Sequence, residues 1–349
     1  MPPLAYPTDY FFIFAEINMF MNHDIQFSII ITVYNRPDEV GEFLKSLTLQ
    51  TYKEFEVLVV EDSLSSPCES VCQEFSNRLS IRYFFVPPSG RSEKRNYAME
   101  HANGNFFIIF DTDCIIPPSY IDTVKKELTD NYADCYGGPD SAEDSFTDLQ
   151  KAINFSMTSF MTTGGIRGGA GKPEKFHPRS FNMGMSKDVF EKVGGFRNMI
   201  GEDIDMSIRI KKGGFKTLLY KDAFVFHKRK ISLKKFYWQV NTFGKARILL
   251  SKLHPGSLKA VHLLPTIFVL GHILLLLMAL ILLSPLFLMP IGIYIIAIFI
   301  ESLIKNRKIK IALLSIATSY IQLFGYGLGF LGEYITGKAS KATQEELYK

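Results

Sequence analysis

The stretch FFIIFDTDC, Phe106–Cys114, decides the fold. Its five apolar residues, 106–110, have the length and the β-branched and aromatic content of a strand buried on both faces. They run straight into Asp111 and Asp113, two carboxylates one residue apart. Three similar apolar runs lie upstream, FSIIITV (27–33), FEVLVV (55–60) and IRYFFV (81–86). Between them, PDEVGEFLKSLTLQ, PCESVCQEFSN and GRSEKRNYAMEHANG have helical length and apolar spacing, the first with Pro37 near its start and the last with Gly104 after its end. Four near-continuous apolar strands joined by crossover helices predict an α/β domain, doubly wound around a mostly parallel sheet. In such sheets ligands bind beyond the carboxyl ends of the strands.

The residues after each strand bear that out chemically. The first strand is followed by Tyr34, Asn35 and Arg36, and the second by Glu61, Asp62 and Ser63. The third leads through Pro87-Pro88-Ser89-Gly90 to Arg91, Lys94, Arg95 and Asn96, and the fourth to Asp111, Thr112 and Asp113. One Asp-x-Asp is expected by chance in roughly every chain of this length, and Asp203-Ile204-Asp205 is a second copy. At the mouth of a buried strand, however, two carboxylates repel and lose hydration unless a cation sits between them. Oxygen donors select Mg²⁺ or Mn²⁺, and such ions leave positions for a substrate diphosphate. GEDIDMSIRIKKGG (201–214) reads as a helix with acids in its first turn and a Gly-Gly stop; one of those acids is a candidate general base. His227, closing the AFVF run, is a candidate third metal ligand. The glycine-rich GGIRGGAGKP (164–173) lacks the P-loop pattern, with Ile166 and Pro173 at two required positions, and reads as a lid.

Lys and Arg number 39 against 35 Asp and Glu in 349 residues, a formal +4 too mild to imply nucleic-acid binding. The four cysteines, Cys68, Cys72, Cys114 and Cys135, form no CxxC pair, which disfavours structural zinc or a disulfide framework and fits a reducing compartment. The N-terminal apolar stretch is interrupted by Glu16 and Asn18, which disfavours a cleaved signal peptide; it is expected to pack on the first domain or lie at a membrane surface. From Ala260 to Ile300, 41 residues pass without one Lys, Arg, Asp or Glu. One helix of that length would extend ~60 Å, about twice a ~30 Å hydrocarbon core, so the stretch predicts a hairpin broken near Ser284-Pro285. Spans over 263–283 and 286–304 follow, and a third over 311–332 would put the tail outside. The segment Lys228–Lys259 carries nine Lys or Arg and no acid, and Lys305, Arg307, Lys308 and Lys310 follow the second span. Both basic sides belong in the cytoplasm. The stretch 232–253 mixes these cations with Phe, Tyr, Trp and Leu and reads as an interfacial amphipathic segment. The resulting division is an N-terminal extension (1–26), an α/β domain (27–228), a basic segment (229–260), membrane helices (261–334) and a tail (335–349).

The motifs SIIITVYNR, VLVVEDS, GRSEKRNYAMEHANGNFFIIFDTD, FNMGMSKDVFEKVGGF and GEDIDMSIRI, in this order, resemble a family 2 glycosyltransferase with a GT-A fold over about residues 27–250. The resemblance implies that Asp111 and Asp113 form the metal and donor-diphosphate motif, with Asp113 the more direct ligand and His227 beside it. It implies nucleotide-sugar contacts from Thr32, Tyr34, Asn35, Arg36, Glu61, Asp62, Lys94, Arg95, Asp111 and Thr112, and an inverting base in Glu202-Asp203, with Asp203 in the role. Two departures matter. Glu61 replaces the first Asp of the usual acidic pair and Leu64 follows Ser63, so the nucleoside falls mainly to Asp62. The processive signature Gln-x-x-Arg-Trp is absent, since Trp238-Gln239 reverses it and Arg247 lies too far on, so transfer of one or a few sugars is expected. The expected partners are a nucleotide-sugar donor, probed first as a UDP-sugar, a glycan or glycolipid acceptor and the bilayer of the inner membrane. A nucleotidyltransferase and a membrane-anchored scaffold with a degenerate site are the alternatives. The first lacks a glycine-rich loop after the first strand, and the second does not account for Asp111, Asp113 and Asp203 together.

Overall fold

A computed structural model describes residues 25–141, 145–163, 176–228 and 232–338. The expected lid over 164–173 lies outside them, as do all but the edges of the N-terminal extension and of the tail. The first half alternates as expected: β1 (Phe27–Val33), α1 (Pro37–Thr48), β2 (Phe55–Glu61), α2 (Glu69–Phe75), β3 (Ser80–Phe85), α3 (Arg91–His101) and β4 (Phe106–Phe110). After it come β5 (Cys114–Ile115), α4 (Tyr120–Asp130), β6 (Cys135–Gly137), β7 (Asp140–Ser141), α5 (Asp148–Thr158), α6 (Phe160–Thr163), β8 (Asn182–Ser186), α7 (Lys187–Val193), α8 (Glu202–Lys212), β9 (Thr217–Leu219) and β10 (Val225–His227).

Seven strands form one sheet in the order β3-β2-β1-β4-β8-β6-β9. The four strands read from the sequence are parallel, with Ile29 level with Val57 on one side and Ile108 on the other. β8 runs antiparallel to both β4 and β6. The chain leaves β1 toward β2 and later returns to β1's other edge with β4, so a crevice opens beyond the carboxyl ends of β1 and β4, as a reversal of strand order requires. Side chains of alternate residues fill two cores, one on each face. Ile29, Ile31, Val57, Val59 and Ile108 pack against α1, α2 and α4, and Ile30, Leu58, Val60, Phe107 and Ile109 against α3, α7 and α8. That two-sided burial is why these strands are apolar throughout rather than alternating. A small second sheet, β5-β10-β7, lies where the chain leaves the Asp-x-Asp turn, pairing Cys114 with His227.

The basic segment is one helix, α9 (Leu233–Leu253), followed by α10 (Leu264–Ile281), α11 (Met289–Asn306) and α12 (Ile309–Thr336), with short 3₁₀ turns at Ala260–Leu263 and Pro285–Leu288. The hairpin breaks as expected, through Leu283 in the left-handed region (φ 50°) ahead of Pro285. The helical stretches Ala260–Ile281, Pro285–Asn306 and Ile309–Thr336 are each long and apolar enough to cross a bilayer. The third differs from the others: half of its most apolar window is covered by protein, against 17% and 11%. The cover is α9, whose apolar face (Phe236, Val240, Ala246, Leu250) was expected to face a membrane surface and instead meets protein, chiefly α12. Glycines permit the contact. A Cβ on Gly244 would stand 2.1 Å from the Tyr326 carbonyl oxygen, and one on Gly329 2.1 Å from that of Asn241.

Candidate active site

α3 positions the first two cations. Its N-terminus is set by Gly90, whose N–H donates to Glu93 Oε2 at 3.0 Å. The register that follows turns Lys94 and Arg95 inward, both buried, where the sequence had them as cations reaching for phosphates. Lys94 Nζ donates to the Val33 carbonyl at the end of β1 (2.8 Å) and to Asp62 Oδ1, while Asp62 Oδ2 accepts from the Ser89 N–H at 2.9 Å. Burial pushes the Lys94 ammonium below its ordinary pKa, and Asp62 pulls it back. Arg95 is fully buried and spans two motifs far apart in sequence: Nη2 donates to Asp111 Oδ1 at 3.0 Å and Nη1 to Glu202 Oε1 at 2.9 Å. One guanidinium therefore fixes the Asp-x-Asp turn against the N-terminus of α8.

Glu61 is completely enclosed. It accepts from Ser63 Oγ, the Cys68 N–H (2.8 Å) and Tyr83 OH (2.7 Å). Burial would raise its pKa, but these donors hold it below the ordinary carboxylate value. Its job is to shape the loop after β2, and the rim carboxylate beside it is Asp62. Asn35 (φ 51°) bridges the same loops, its N–H donating to Ser63 Oγ at 2.7 Å and its Oδ1 accepting from the Ser65 and Ser66 N–H groups. Tyr34 is half exposed with the Lys94 ammonium 5.8 Å from its ring centre, a flat surface at the crevice edge. Thr32 is partly buried in β1; Arg36 is exposed and pairs with Glu39 (3.0 Å), which also accepts from Thr112 Oγ1 (3.0 Å).

Asp113 is separated from Asp111 by what it faces. His227 Nε2 lies 3.1 Å from Asp113 Oδ1, and one donor atom each from Asp113, Cys114 and His227 fall within 4.8 Å of one another. Burial, then the charges of Asp113 and Asp111, pushes the Cys114 thiol well above its usual value, and a hard divalent ion prefers oxygen ligands to sulfur. Asp113 and His227 fit a divalent ion. Asp111, the other expected ligand, has Oδ1 on Arg95 and 29% of its side chain exposed. Phe181 packs on the His227 ring with centroids 4.8 Å apart.

At the start of α8, Glu202 is taken by Arg95, and Asp203 faces the crevice with 18% of its side chain exposed. Burial would raise the Asp203 carboxyl, but Arg179, whose Nη1 is 3.4 Å from Asp203 Oδ2, and the Ile204 N–H hold it below the ordinary value. Arg179 was missed in the sequence. It follows Lys175 after the glycine-rich run, without periodicity or motif to single it out.

Residues 28–194 match the model of the family described as Glycosyl transferase family 2. Glycosyltransferase GlyA of Streptococcus pneumoniae is 31% identical over 112 residues, 32% of this chain and 16% of that protein. Glycosyltransferase AglE of Haloferax volcanii is 24% identical over 217 residues, 57% of this chain and 66% of that protein. The chain thus spans less than two thirds of the length of these curated relatives. Among solved structures, the mannosyltransferase PcManGT from Pyrobaculum calidifontis superposes with a TM-score of 0.56 over 91% of this chain and 89% of its own, at 15% identity, a likeness of fold. Through residues 28–194, its mostly parallel sheet and the acidic motifs at its rim, the chain is similar to glycosyl transferase family 2.

Proposed function

We propose that the chain is a metal-dependent inverting glycosyltransferase that moves a sugar from a nucleoside-diphosphate sugar, a UDP-sugar as first choice, to a hydroxyl of a membrane-associated or cell-envelope glycan acceptor, without processive elongation. The observation that carries the reading is Arg95, which ties Asp111 to Glu202 and so sets the Asp203 carboxylate on the same rim as the Asp113–His227 pair. PcManGT, of like fold, was solved in complex with GDP-Man and Mn²⁺, which supports a divalent ion and a nucleotide-sugar donor. Asp62, with Tyr34 beside it, lines the nucleoside end of the crevice. Asp203 accepts the proton of the acceptor hydroxyl as its oxygen bonds to the anomeric carbon. The bond from that carbon to the diphosphate oxygen breaks on the opposite face, and the nucleoside diphosphate leaves. Mg²⁺ or Mn²⁺ at Asp113 and His227 would neutralise charge on that leaving group. The basic sequence before α10 and after α11 supports a catalytic domain on the cytoplasmic side of the inner membrane.

Purified full-length protein should release nucleoside diphosphate from one member of a nucleotide-sugar panel, with loss of release on chelation and in Asp113→Ala. Release that persists after both treatments, or no release from any donor, overturns the proposal.

A further inference from the structure

The end of α5 runs down the side of the apolar helices. Its start is tied to their basic end, Lys310 Nζ lying 3.0 Å from Asp148 Oδ2. From there the contacts step along α11. The Lys305 ammonium stands 5.8 Å from the Phe155 ring centre, Ser159 Oγ donates to Glu301 Oε2 at 2.7 Å, and Tyr294 OH donates to the Met161 carbonyl at 3.3 Å. As the chain passes from 155 to 161, its partner on α11 therefore moves from 305 to 294. Tyr294 is twelve residues from Asn306, where the helix ends, ~18 Å along the axis at ~1.5 Å per residue. Side chains lean toward the N-terminus of their helix, so the ring does not carry this contact back toward the basic end. In a ~30 Å hydrocarbon layer such a depth is about the middle.

The tip of this segment is built for hydrocarbon. Carbonyls at the end of a helix ordinarily turn to water, and where water is absent they must be satisfied from within the protein. Here the Asn154 carbonyl accepts from Thr158 Oγ1 at 2.9 Å, that of Ser156 from Thr162 Oγ1, and those of Met157 and Ser159 from Thr163 Oγ1 at 3.3 and 3.1 Å. Ser159 Oγ also accepts from the Met161 N–H at 3.1 Å. Three threonine hydroxyls are thus folded back on the backbone, and the side chains left outward are apolar: Phe160 is 72% exposed and Met161 45%. The same stretch of α11 exposes Ile293, Ile296 and Ile300, so tip and helix present one kind of surface. Glu301 is the exception, and its carboxylate is the one that takes Ser159, as an acid within an apolar helix requires.

We propose that α6 and the last turn of α5 form a re-entrant element of the catalytic domain, sunk beside α11 into the leaflet on the basic side, with Phe160 and Met161 against lipid chains. The partner is the hydrocarbon of the bilayer, and the assignment rests on α11 crossing it. The α/β half then has a seat of its own in the lipid, apart from the helices that follow it. Since β7, upstream of α5, pairs with β10, this seat also fixes the height of the His227 end of the rim over the membrane surface.

The test reads depth by fluorescence. Trp238 is the sole tryptophan, so Trp238→Phe gives a tryptophan-free background for single reporters in the full-length protein. Phe160→Trp is compared with Ile296→Trp, on the exposed face of α11, and with Phe85→Trp, exposed on the edge strand β3. Each is reconstituted in phosphatidylcholine vesicles with and without bromine at mid-chain, and each is titrated with aqueous iodide. Brominated lipid should quench the Phe160→Trp reporter to at least half the extent seen for Ile296→Trp, and iodide should quench it at least threefold less than Phe85→Trp. Met161→Trp, carried in parallel, should repeat the pattern, so that one misfolded variant does not decide the outcome. Reporters at 160 and 161 that answer to iodide like Phe85→Trp and not to bromine, while Ile296→Trp does answer to bromine, overturn the proposal and leave the crossing of α11 standing. No bromine quenching at Ile296→Trp overturns both. The spectra need no turnover, so failure of the nucleoside-diphosphate release assay counts against the proposed function and not against this element.

Discussion

Arg95 shows how far a single side chain can organise the site. With no exposed surface, its guanidinium bridges Asp111 and Glu202. Asp203, one residue on, is left as the carboxylate open to the crevice. Asp203→Asn is expected to lower transfer by roughly 10²–10⁴-fold while donor binding, followed by titration, stays near that of the native protein. The pKa of Asp203 is depressed, so it remains ionised below the ordinary carboxylate value of 3.8 and contributes stability above that pH that is lost as pH falls through its folded value. Removing the main cause, in Arg179→Gln, should move the acid limb of the kcat/KM profile to higher pH; an unchanged limb would show that Arg179 does not set the base. Lys94 and Asp62 are a buried pair of the kind in which loss of one partner costs about 3–5 kcal/mol. Lys94→Met should therefore lower the unfolding midpoint as well as weaken donor binding. Asp62, Asp111 and Asp113 were legible because they close apolar runs, and Asp203 because it stands in the first turn of a helix. What the sequence hid is that Lys94 and Arg95 are spent on those carboxylates, since helix register and tertiary closure decide which way a cation points.

At the level of elements, the four parallel strands were read nearly to the residue: two-sided burial keeps β1, β2 and β4 almost wholly apolar, and β3, a partly exposed edge strand, still shows as an aromatic and β-branched run. The later strands were not read: β6, β7, β9 and β10 are two or three residues long, below any periodicity that a sequence can display. The α9–α12 contact was hidden for another reason. A face of Phe, Val and Leu looks the same whether it will meet lipid or another helix. The glycines carry the distinction, because Gly244 and Gly329 are needed only if two backbones approach. Gly244→Val should push α9 from α12 and destabilise the protein by about 1–3 kcal/mol, seen as a lower midpoint in detergent, whereas the same change at Gly271, where a Cβ would meet nothing within 4 Å, should be mild.

Across the whole molecule, the contacts of α12 constrain how it meets the bilayer. It begins two residues after α11 ends, with Ser315 Oγ accepting from Ser302 Oγ at 2.7 Å. Eighteen residues on, Gly327 lies against Pro265 at the start of α10, and its carbonyl accepts from Thr266 Oγ1 at 3.4 Å. The α10–α11 hairpin brings residues 265 and 306 back to the basic side, so α12 has both of these points near that side. Along its length it also touches the catalytic domain, Thr318 Oγ1 donating to the Ala152 carbonyl at 2.9 Å. Its contacts also reach residues deeper in the pair, His272 Nε2 lying 3.3 Å from Tyr320 OH and the Tyr294 and Tyr320 rings 5.8 Å apart, and this packing accounts for its half-covered surface. A third crossing predicts that a cysteine introduced at Lys338 reacts with an impermeant maleimide from the side opposite to one introduced at Lys187; labelling from the same side would establish two crossings.

The position of α12 also orders events during synthesis. The ribosome has made the sheet, the rim and both legs of the hairpin before this helix emerges, yet α5 and α9 find much of their packing on it. Until then the nascent enzyme has an open flank, which closes only once α10 and α11 are seated. Completion of the α/β half is thereby tied to the seating of these apolar helices, and chains in which they fail to seat would be left unfinished and exposed to proteolysis.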